Sequence, residues 1–200
     1  MDEVEAKQTD PYSHVCDDNA ASGNSSHIVT ASDSKRPLVD RGDFEMRIAR
    51  DGTWFYRGSP INRSALVKLF ASVLRREADG RYALVTPAER GRIEVEDVPF
   101  LAVEMTVEGH GRGQELIFRT NLDEFVTAGP DNPLRVETAA SGGPAPYILV
   151  RDGLEARLVR PVFYDLVGLG IKEAVGDTMQ FGEWSKGMVF RLGDPGPDWE

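Results

Sequence analysis

Two basic side chains stand in a glycine-rich stretch, residues 108–113, which reads Glu-Gly-His-Gly-Arg-Gly. Glycines that alternate with polar residues can cradle an anion with their backbone amides. The Lys-Ser/Thr pair of a phosphate loop is absent, and strand-like alternation, not a helix, flanks the stretch on both sides. The pattern favours a flexible hairpin loop, with His110 and Arg112 as candidate ligand-binding residues.

A second basic set accompanies a predicted helix. Arg63 and Lys68 lie on the side away from the apolar face, and Arg57 precedes the helix. Such a set can hold an anionic ligand or an acidic partner segment, although it is also typical of a solvated face. We take these three residues as candidate ligand-binding residues, together with Asp131 in the turn-forming residues 129–133.

Carboxylates cluster at Glu94, Glu96 and Asp97. Paired carboxylates can act as acid and base when their environments separate their pKa values. However, Glu94 and Glu96 alternate with Ile93 and Val95, so they share one strand face, which we expect to be solvated. Because no Gly-x-Ser-x-Gly nucleophile elbow occurs either, the sequence offers no catalytic residue.

Metal ligands are few. His14, Cys16 and His27 fit no zinc spacing, and they lack a fourth ligand. The sequence therefore predicts no metal site and no cofactor.

Turn and helix signals position these residues. Asp51-Gly52 between two alternating runs is a strong hairpin signal, because both central turn positions need positive φ. Ser59-Pro60 is typical of a helix start and Asp79-Gly80 of a helix end, which predicts a main helix over about 60–77. Its predicted buried face consists of Leu66, Leu69, Phe70, Val73 and Leu74.

Sorting of faces also predicts a strand register around the glycine-rich loop. If residues 109–114 form the loop, Met105 lies opposite Phe118 and Glu104 opposite Arg119. The same register places Val103 opposite Thr120.

The remaining chain is mostly of period two, which predicts an α+β fold with a mostly antiparallel sheet. A second, short helix is predicted over about 161–168, and an echo of residues 82–85 in residues 147–150 suggests two similar halves. We expect a disordered acidic tail (1–38), a first sheet-plus-helix subdomain (39–110) and a second one (111–200).

The net charge of the chain limits the classes of partner that it is expected to bind. The net charge is −10, and residues 1–40 contain eight acidic but only three basic side chains. This field disfavours nucleic acid and anionic membranes, and no apolar stretch is long enough to span a bilayer. One cysteine and no apolar leader-like segment favour a cytoplasmic location.

Several strings together resemble the bacterial domain-of-unknown-function family 1285. The similarity covers about residues 43–193, and it rests on Asp51 to Ile61, Leu84 to Pro87, Val95 to Phe100, Phe118 to Asn121, Thr127 to Val136 and Tyr147 to Ala156. The resemblance implies an α+β fold with two similar halves. It implies no established activity, and a role in signal transduction is suggested for the family.

The sequence therefore favours a non-catalytic protein that binds a small anionic ligand or a protein partner, in signal transduction or regulation. The alternatives are an enzyme whose site assembles from loops near His110, Arg112 and Asp131, or a structural subunit. Neither the partner nor the oligomeric state can be derived from these patterns.

Overall fold

A computed structural model describes residues 38–139, 142–175 and 178–193. The predicted disordered tail, residues 1–38, lies outside this part except for Leu38. The described residues form an α+β fold of two helices and mostly antiparallel sheets, which confirms the predicted fold class. Neither helix has the length and apolar composition required to traverse a lipid bilayer.

Two six-stranded sheets make up most of the fold. The first contains β1 (Val39–Ile48), β2 (Trp54–Tyr56), β3 (Ser59–Pro60), β4 (Leu74–Arg76), β5 (Tyr82–Val85) and β6 (Glu89–Val95). The second contains β7 (Phe100–Glu108), β8 (Glu115–Thr120), β9 (Phe125–Thr127), β10 (Leu134–Thr138), β11 (Pro144–Arg151) and β12 (Leu154–Leu158).

The two sheets repeat one topology. The strand order is β3-β2-β1-β6-β5-β4 in the first sheet and β9-β8-β7-β12-β11-β10 in the second. In each sheet the first strand pairs in parallel with the sixth, and the other pairs are antiparallel. This correspondence confirms the two similar halves. The first sheet ends at Val95 and the second begins at Phe100, whereas the predicted division falls after residue 110.

A third, smaller sheet closes the fold. It contains β13 (Ile171–Val175), β14 (Thr178–Ser185) and β15 (Met188–Gly193), all antiparallel. The helices are α1 (Ser64–Ser72), between β3 and β4, and α2 (Arg160–Leu169), between β12 and β13. The second helix agrees with the predicted one over 161–168.

The predicted β1–β2 hairpin is present. Ile48 pairs with Trp54 across the turn, and Gly52 has a φ of +80°, which glycine adopts without the strain that a side chain would bring. Asp51 does not have the positive φ that the hairpin signal predicts at both central positions. This turn therefore holds Arg50 and Asp51 at the end of the first sheet.

The register predicted around the glycine-rich loop is confirmed over residues 104–108. Met105 pairs with Phe118, and Glu104 pairs with Arg119, whose Nε donates to Glu104 Oε2 at 2.6 Å. The predicted pairing of Val103 with Thr120 is wrong, because the strand is irregular between Ala102 and Glu104 and Ala102 takes that place.

The main helix is shorter than predicted. Ser59-Pro60 forms the strand β3 on β2, at an edge where proline's missing N–H breaks no ladder bond. At the other end, Leu74–Arg76 pairs with β5 and becomes strand β4. The start and stop signals place both segments in the helix, but strand pairing overrides those signals there.

The predicted buried face of this helix is wrong at its centre. Leu69 is 61% exposed, and the helix buries Val67 and Ala71 instead. Phe70 does pack inward, with its ring stacked on Trp54 at a centroid distance of 6.3 Å. One hydrophobic cluster contains residues from both large sheets, so the described part of 39–193 shares a core.

Candidate functional site

A cleft of about 530 Å³ lies where the two halves of the fold meet. The β1–β2 turn contributes Arg50 and Asp51, and β7 contributes Leu101. The end of β12 and the start of α2 contribute Arg157 to Arg160, followed by Phe163 and Tyr164. Pro144 and Pro146 of β11 complete this part of the wall. The volume falls within the range of small-molecule sites.

Three guanidinium groups line this cleft, and they differ in how far they are neutralised. Arg157 Nη1 donates to Asp97 Oδ2 at 2.9 Å, and Arg50 Nε lies 4.0 Å from the same oxygen. Arg160 is exposed and has neither a hydrogen bond nor an ion pair from its side chain within the described residues. Arg160, which lines the same cleft as Arg50, is therefore available to an incoming anion.

Asp97 organises the back of the site. Its side chain is only 15% exposed, and it also accepts a hydrogen bond from the Tyr147 hydroxyl at 3.0 Å. Burial, together with this bond to a carboxylate, raises the pKa of Tyr147. The phenol therefore stays protonated and continues to donate to Asp97, which fixes the carboxylate that orients Arg157.

Asp51, which follows Arg50 in the β1–β2 turn, is held as an anion. The backbone N–H of Thr53 donates to Asp51 Oδ1 at 2.9 Å, and bonds from the backbone and side chain of Thr53 lower the pKa of this carboxyl. A carboxylate with a lowered pKa is a weak proton acceptor near neutral pH. Asp51 therefore contributes charge to the cleft, not acid–base chemistry.

The N-terminus of helix α2 adds an electrostatic environment that favours an anion. Val159 precedes the helix without a side-chain cap, and the first turn holds no acidic residue. The backbone amides of an uncapped N-terminus favour negative charge, and Arg160 in the first turn opposes the helix dipole. An anion beside this end would offset both costs.

The remaining wall is apolar. Phe163 is buried at 8% exposure, whereas its neighbour Tyr164 is 66% exposed. With Leu101, Pro144 and Pro146, these rings form a hydrophobic surface next to the arginines. The arrangement can hold a molecule that combines an anionic group with an apolar part.

A larger groove, of about 660 Å³, runs between β10 and β15. Its Arg135 is already satisfied, because Glu155 accepts two bonds from it at 2.8 and 2.9 Å and Glu137 forms a further ion pair. The guanidinium also covers the Tyr147 ring at 4.5 Å. Arg135 therefore stabilises the sheet through its bonds to Glu155 and Glu137 and is not available to bind an anion.

The predicted basic residues of the first half do not meet in one site. Arg57 Nε donates to Glu45 Oε2 at 2.7 Å, and Lys68 Nζ donates to Asp123 Oδ2 at 2.6 Å. Arg63 is exposed at the start of α1 and bonds no other side chain in the described part of the chain.

The predicted residues of the second half are also separate. Arg112 Nη2 donates to Glu173 Oε1 at 2.9 Å and lies over the Trp184 ring at 4.9 Å. His110 and Asp131 are exposed, and among the described residues no hydrogen bond or ion pair joins either of them to Arg112. No group of three or more His, Cys, Asp or Glu in the described ranges could hold a metal ion.

Sequence reasoning missed Arg50, Arg157, Arg160 and Tyr164, and it considered Asp97 only as part of an acidic cluster. They come from separate segments, so no short motif contains them. One signal was present: Arg160-Pro161 puts a cation at a helix start, where the dipole favours an acid.

Comparisons with known proteins agree with this architecture. Two family models match, the DUF1285 N-terminal domain over residues 36–98 and the DUF1285 C-terminal domain, of unknown function, over residues 99–192. A crystal structure of a DUF1285 family protein from Silicibacter pomeroyi is 48% identical with a TM-score of 0.72, covering 80% of this chain and 88% of that one. A DUF1285 family protein from Shewanella baltica is 26% identical with a TM-score of 0.49, covering 62% and 90%. The comparison with curated proteins gave no match.

Proposed function

The chain belongs to the DUF1285 family, whose function is unknown, and we propose that it is a non-catalytic binding protein for a small organic anion. The proposal is derived from the cleft of the chain itself. One observation carries the proposal. In a chain of net charge −10, three arginines converge on one cleft, and Arg160 has no partner among the described side chains. An unneutralised guanidinium beside an uncapped helix end is a receptor for an anionic group.

The titratable groups support binding over catalysis. Asp51 is held ionised by Thr53, and Asp97 is occupied by Arg157 and Tyr147. The lowered pKa makes Asp51 a weak proton acceptor near neutral pH, and Asp97 is engaged in structural bonds. The enzyme alternative around His110, Arg112 and Asp131 has weaker support, because Arg112 is engaged with Glu173 and Trp184.

We further propose a regulatory role in the cytoplasm. The cleft joins Arg50 and Asp51 of the N-terminal family domain to Arg157 and Arg160 of the C-terminal one. A ligand held by both halves would stabilise their contact, which is a means of transmitting its presence. The single cysteine, Cys16, fits a reducing compartment.

Thermal-shift titrations with acetate, benzoate, inorganic phosphate and phenyl phosphate test the proposal at low chloride concentration. We expect at least one anion to raise the melting temperature saturably, by the linkage between binding and folding. Arg160→Ala and Arg50→Ala should each weaken this binding about tenfold or more, since a charge-assisted hydrogen bond contributes about 1.5–3 kcal/mol.

Arg63→Ala is the matched control. It also removes an exposed arginine at a helix start with no side-chain partner among the described residues, but it lies outside the cleft. Its binding should equal that of the wild type. Equal weakening in Arg63→Ala and Arg160→Ala would show a diffuse charge effect, and the absence of any saturable shift would refute the proposal.

A further inference from the structure

Two features of the cleft go beyond a simple anion receptor. The first is its charge balance. Three guanidinium groups face two carboxylates, because Asp51 lines the cleft and Asp97 lies directly behind Arg157 and Arg50. The formal charges of these five side chains sum to one uncompensated positive charge.

This balance discriminates between anions. A carboxylate ligand supplies one negative charge, which matches the uncompensated guanidinium. A phosphate monoester carries close to two charges at neutral pH, and its second charge would lie near Asp51 and Asp97 without a cation of its own. In a partly buried site, such a like-charge approach is unfavourable.

The second feature is Tyr164. It is 66% exposed at the wall of the cleft, while the adjacent Phe163 is buried in the core. Since Tyr164 lies one helical turn after Arg160, both side chains are on the same face of α2. An exposed ring on the same helix face as an unneutralised cation offers a flat apolar surface next to the anion position.

We infer that the cleft selects a monocarboxylate attached to an aromatic ring, with the carboxylate on Arg160 and Arg50 and the ring against Tyr164. This inference rests on the proposed function and specifies its ligand class. The cleft of about 530 Å³ exceeds what a carboxylate group needs, and Leu101, Pro144 and Pro146 supply further apolar surface for the ring.

NMR titrations of the full chain with the same four anions test the ligand class. Benzoate should bind about tenfold more tightly than acetate, because its ring adds an aromatic contact and buries apolar surface that acetate lacks. Benzoate should also bind more tightly than phenyl phosphate, despite the smaller charge of the carboxylate.

Two variants locate the selectivity. Tyr164→Ala should reduce the preference for benzoate over acetate several-fold and leave acetate binding unchanged. Tyr56→Ala, which removes another exposed tyrosine outside the cleft, should leave both unchanged. Asp97→Asn removes one negative charge from the site and should shift the preference towards phenyl phosphate.

The outcomes separate the two proposals. Tighter binding of phenyl phosphate than of benzoate in the wild type would overturn the carboxylate preference while anion binding stands. An unchanged benzoate preference in Tyr164→Ala would overturn the aromatic contact. If none of the four anions binds, the proposed function fails, and this inference fails with it.

Discussion

The two large sheets share one strand order, yet their connections differ, and the cleft depends on that difference. After β6, residues 96–99 lead directly into β7, whereas after the corresponding strand β12 the chain continues into α2. Conversely, α1 lies between β3 and β4, where the second half has only residues 128–133. The repeated sheet is thus a scaffold, and an element specific to one half supplies the candidate site.

The N-termini of the two helices show the same difference between the halves at the level of single residues. Both lack a side-chain cap, and each has an arginine, Arg63 or Arg160, that bonds no other side chain in the described chain. Arg160 lines a cleft with two further arginines, whereas the cleft does not include Arg63. A helix end becomes a candidate site only when its surroundings concentrate charge and apolar surface.

The largest expected effects test whether the two halves share one core. Leu74 in the first sheet and Leu154 in the second are both fully buried members of the same hydrophobic cluster. Leu74→Ala and Leu154→Ala should each reduce the free energy of unfolding by about 2–5 kcal/mol. Denaturant unfolding followed by fluorescence and by circular dichroism should show one transition in both variants. Two separate transitions would mean that the halves unfold independently.

A pair of turn glycines in the first sheet tests how the cleft is held. Gly52 and Gly58 have φ of +80° and +78°, so alanine at either site costs about 1–2 kcal/mol. A Cβ at Gly52 would also lie 2.8 Å from Asn121 Nδ2 and 3.2 Å from Leu101 Cδ1, whereas a Cβ at Gly58 would have no atom of the other described residues, apart from its chain neighbours, within 4 Å.

Gly52→Ala should therefore destabilise the protein by about 1 kcal/mol more than Gly58→Ala does. It should also weaken anion binding, since Leu101 lines the cleft and Gly52 follows Asp51. Chemical denaturation and the anion titration measure the two effects. Equal effects of the two substitutions would contradict the contact with the second half.

The buried carboxyl of Glu183, between the second and third sheets, should make the free energy of unfolding depend on pH. Glu183 is 5% exposed, and its Oε1 accepts bonds from Gln114 Nε2 at 2.5 Å and from the backbone N–H of Trp184 at 3.1 Å. Its Oε2 has no hydrogen-bond partner among the described residues. Burial raises the pKa of Glu183. A carboxyl whose pKa is higher in the folded than in the unfolded state stabilises the fold below the unfolded-state pKa, about 4.3. This contribution is lost as the pH rises through the folded-state pKa.

Glu183→Gln should therefore increase stability at pH 7, by about 1 kcal/mol, and change it little at pH 4. Glu108→Gln, at an exposed glutamate of β7, is the control and should have no such pH dependence. Denaturant titrations at the two pH values measure this difference. A loss of stability at pH 7 in Glu183→Gln would show that the ionised carboxylate stabilises the contact.

Local signals predicted those parts of the fold that local chemistry determines. Asp51-Gly52 specified the β1–β2 turn, and the sorting of faces gave the pairs from Glu104 to Glu108 with β8. The irregularity at Val103 could not be derived, because it depends on how β7 meets both β8 and β12.

The candidate site could not be predicted from the sequence for a related reason. Arg50 and Arg157 are distant in sequence and approach each other through Asp97, which follows the first sheet. The sequence marked these residues only as strand-face or turn charges. The residues that it favoured, Arg57 and Lys68, form ion pairs on the surface instead.

The smallest expected effect compares one leucine from each helix. Leu69 of α1 is 61% exposed, whereas Leu166 of α2 is fully buried in the hydrophobic cluster. Leu69→Ala should change the free energy of unfolding by less than about 0.5 kcal/mol, since an exposed side chain loses little burial and alanine is the better helix former. Leu166→Ala should cost about 2–5 kcal/mol in the same denaturant titration. Helical periodicity placed Leu69 at the centre of the buried face, so a loss of 2 kcal/mol or more there would mean that α1 packs through the face that the periodicity predicts. A negligible loss would agree with a helix that packs through Val67 and Ala71 instead.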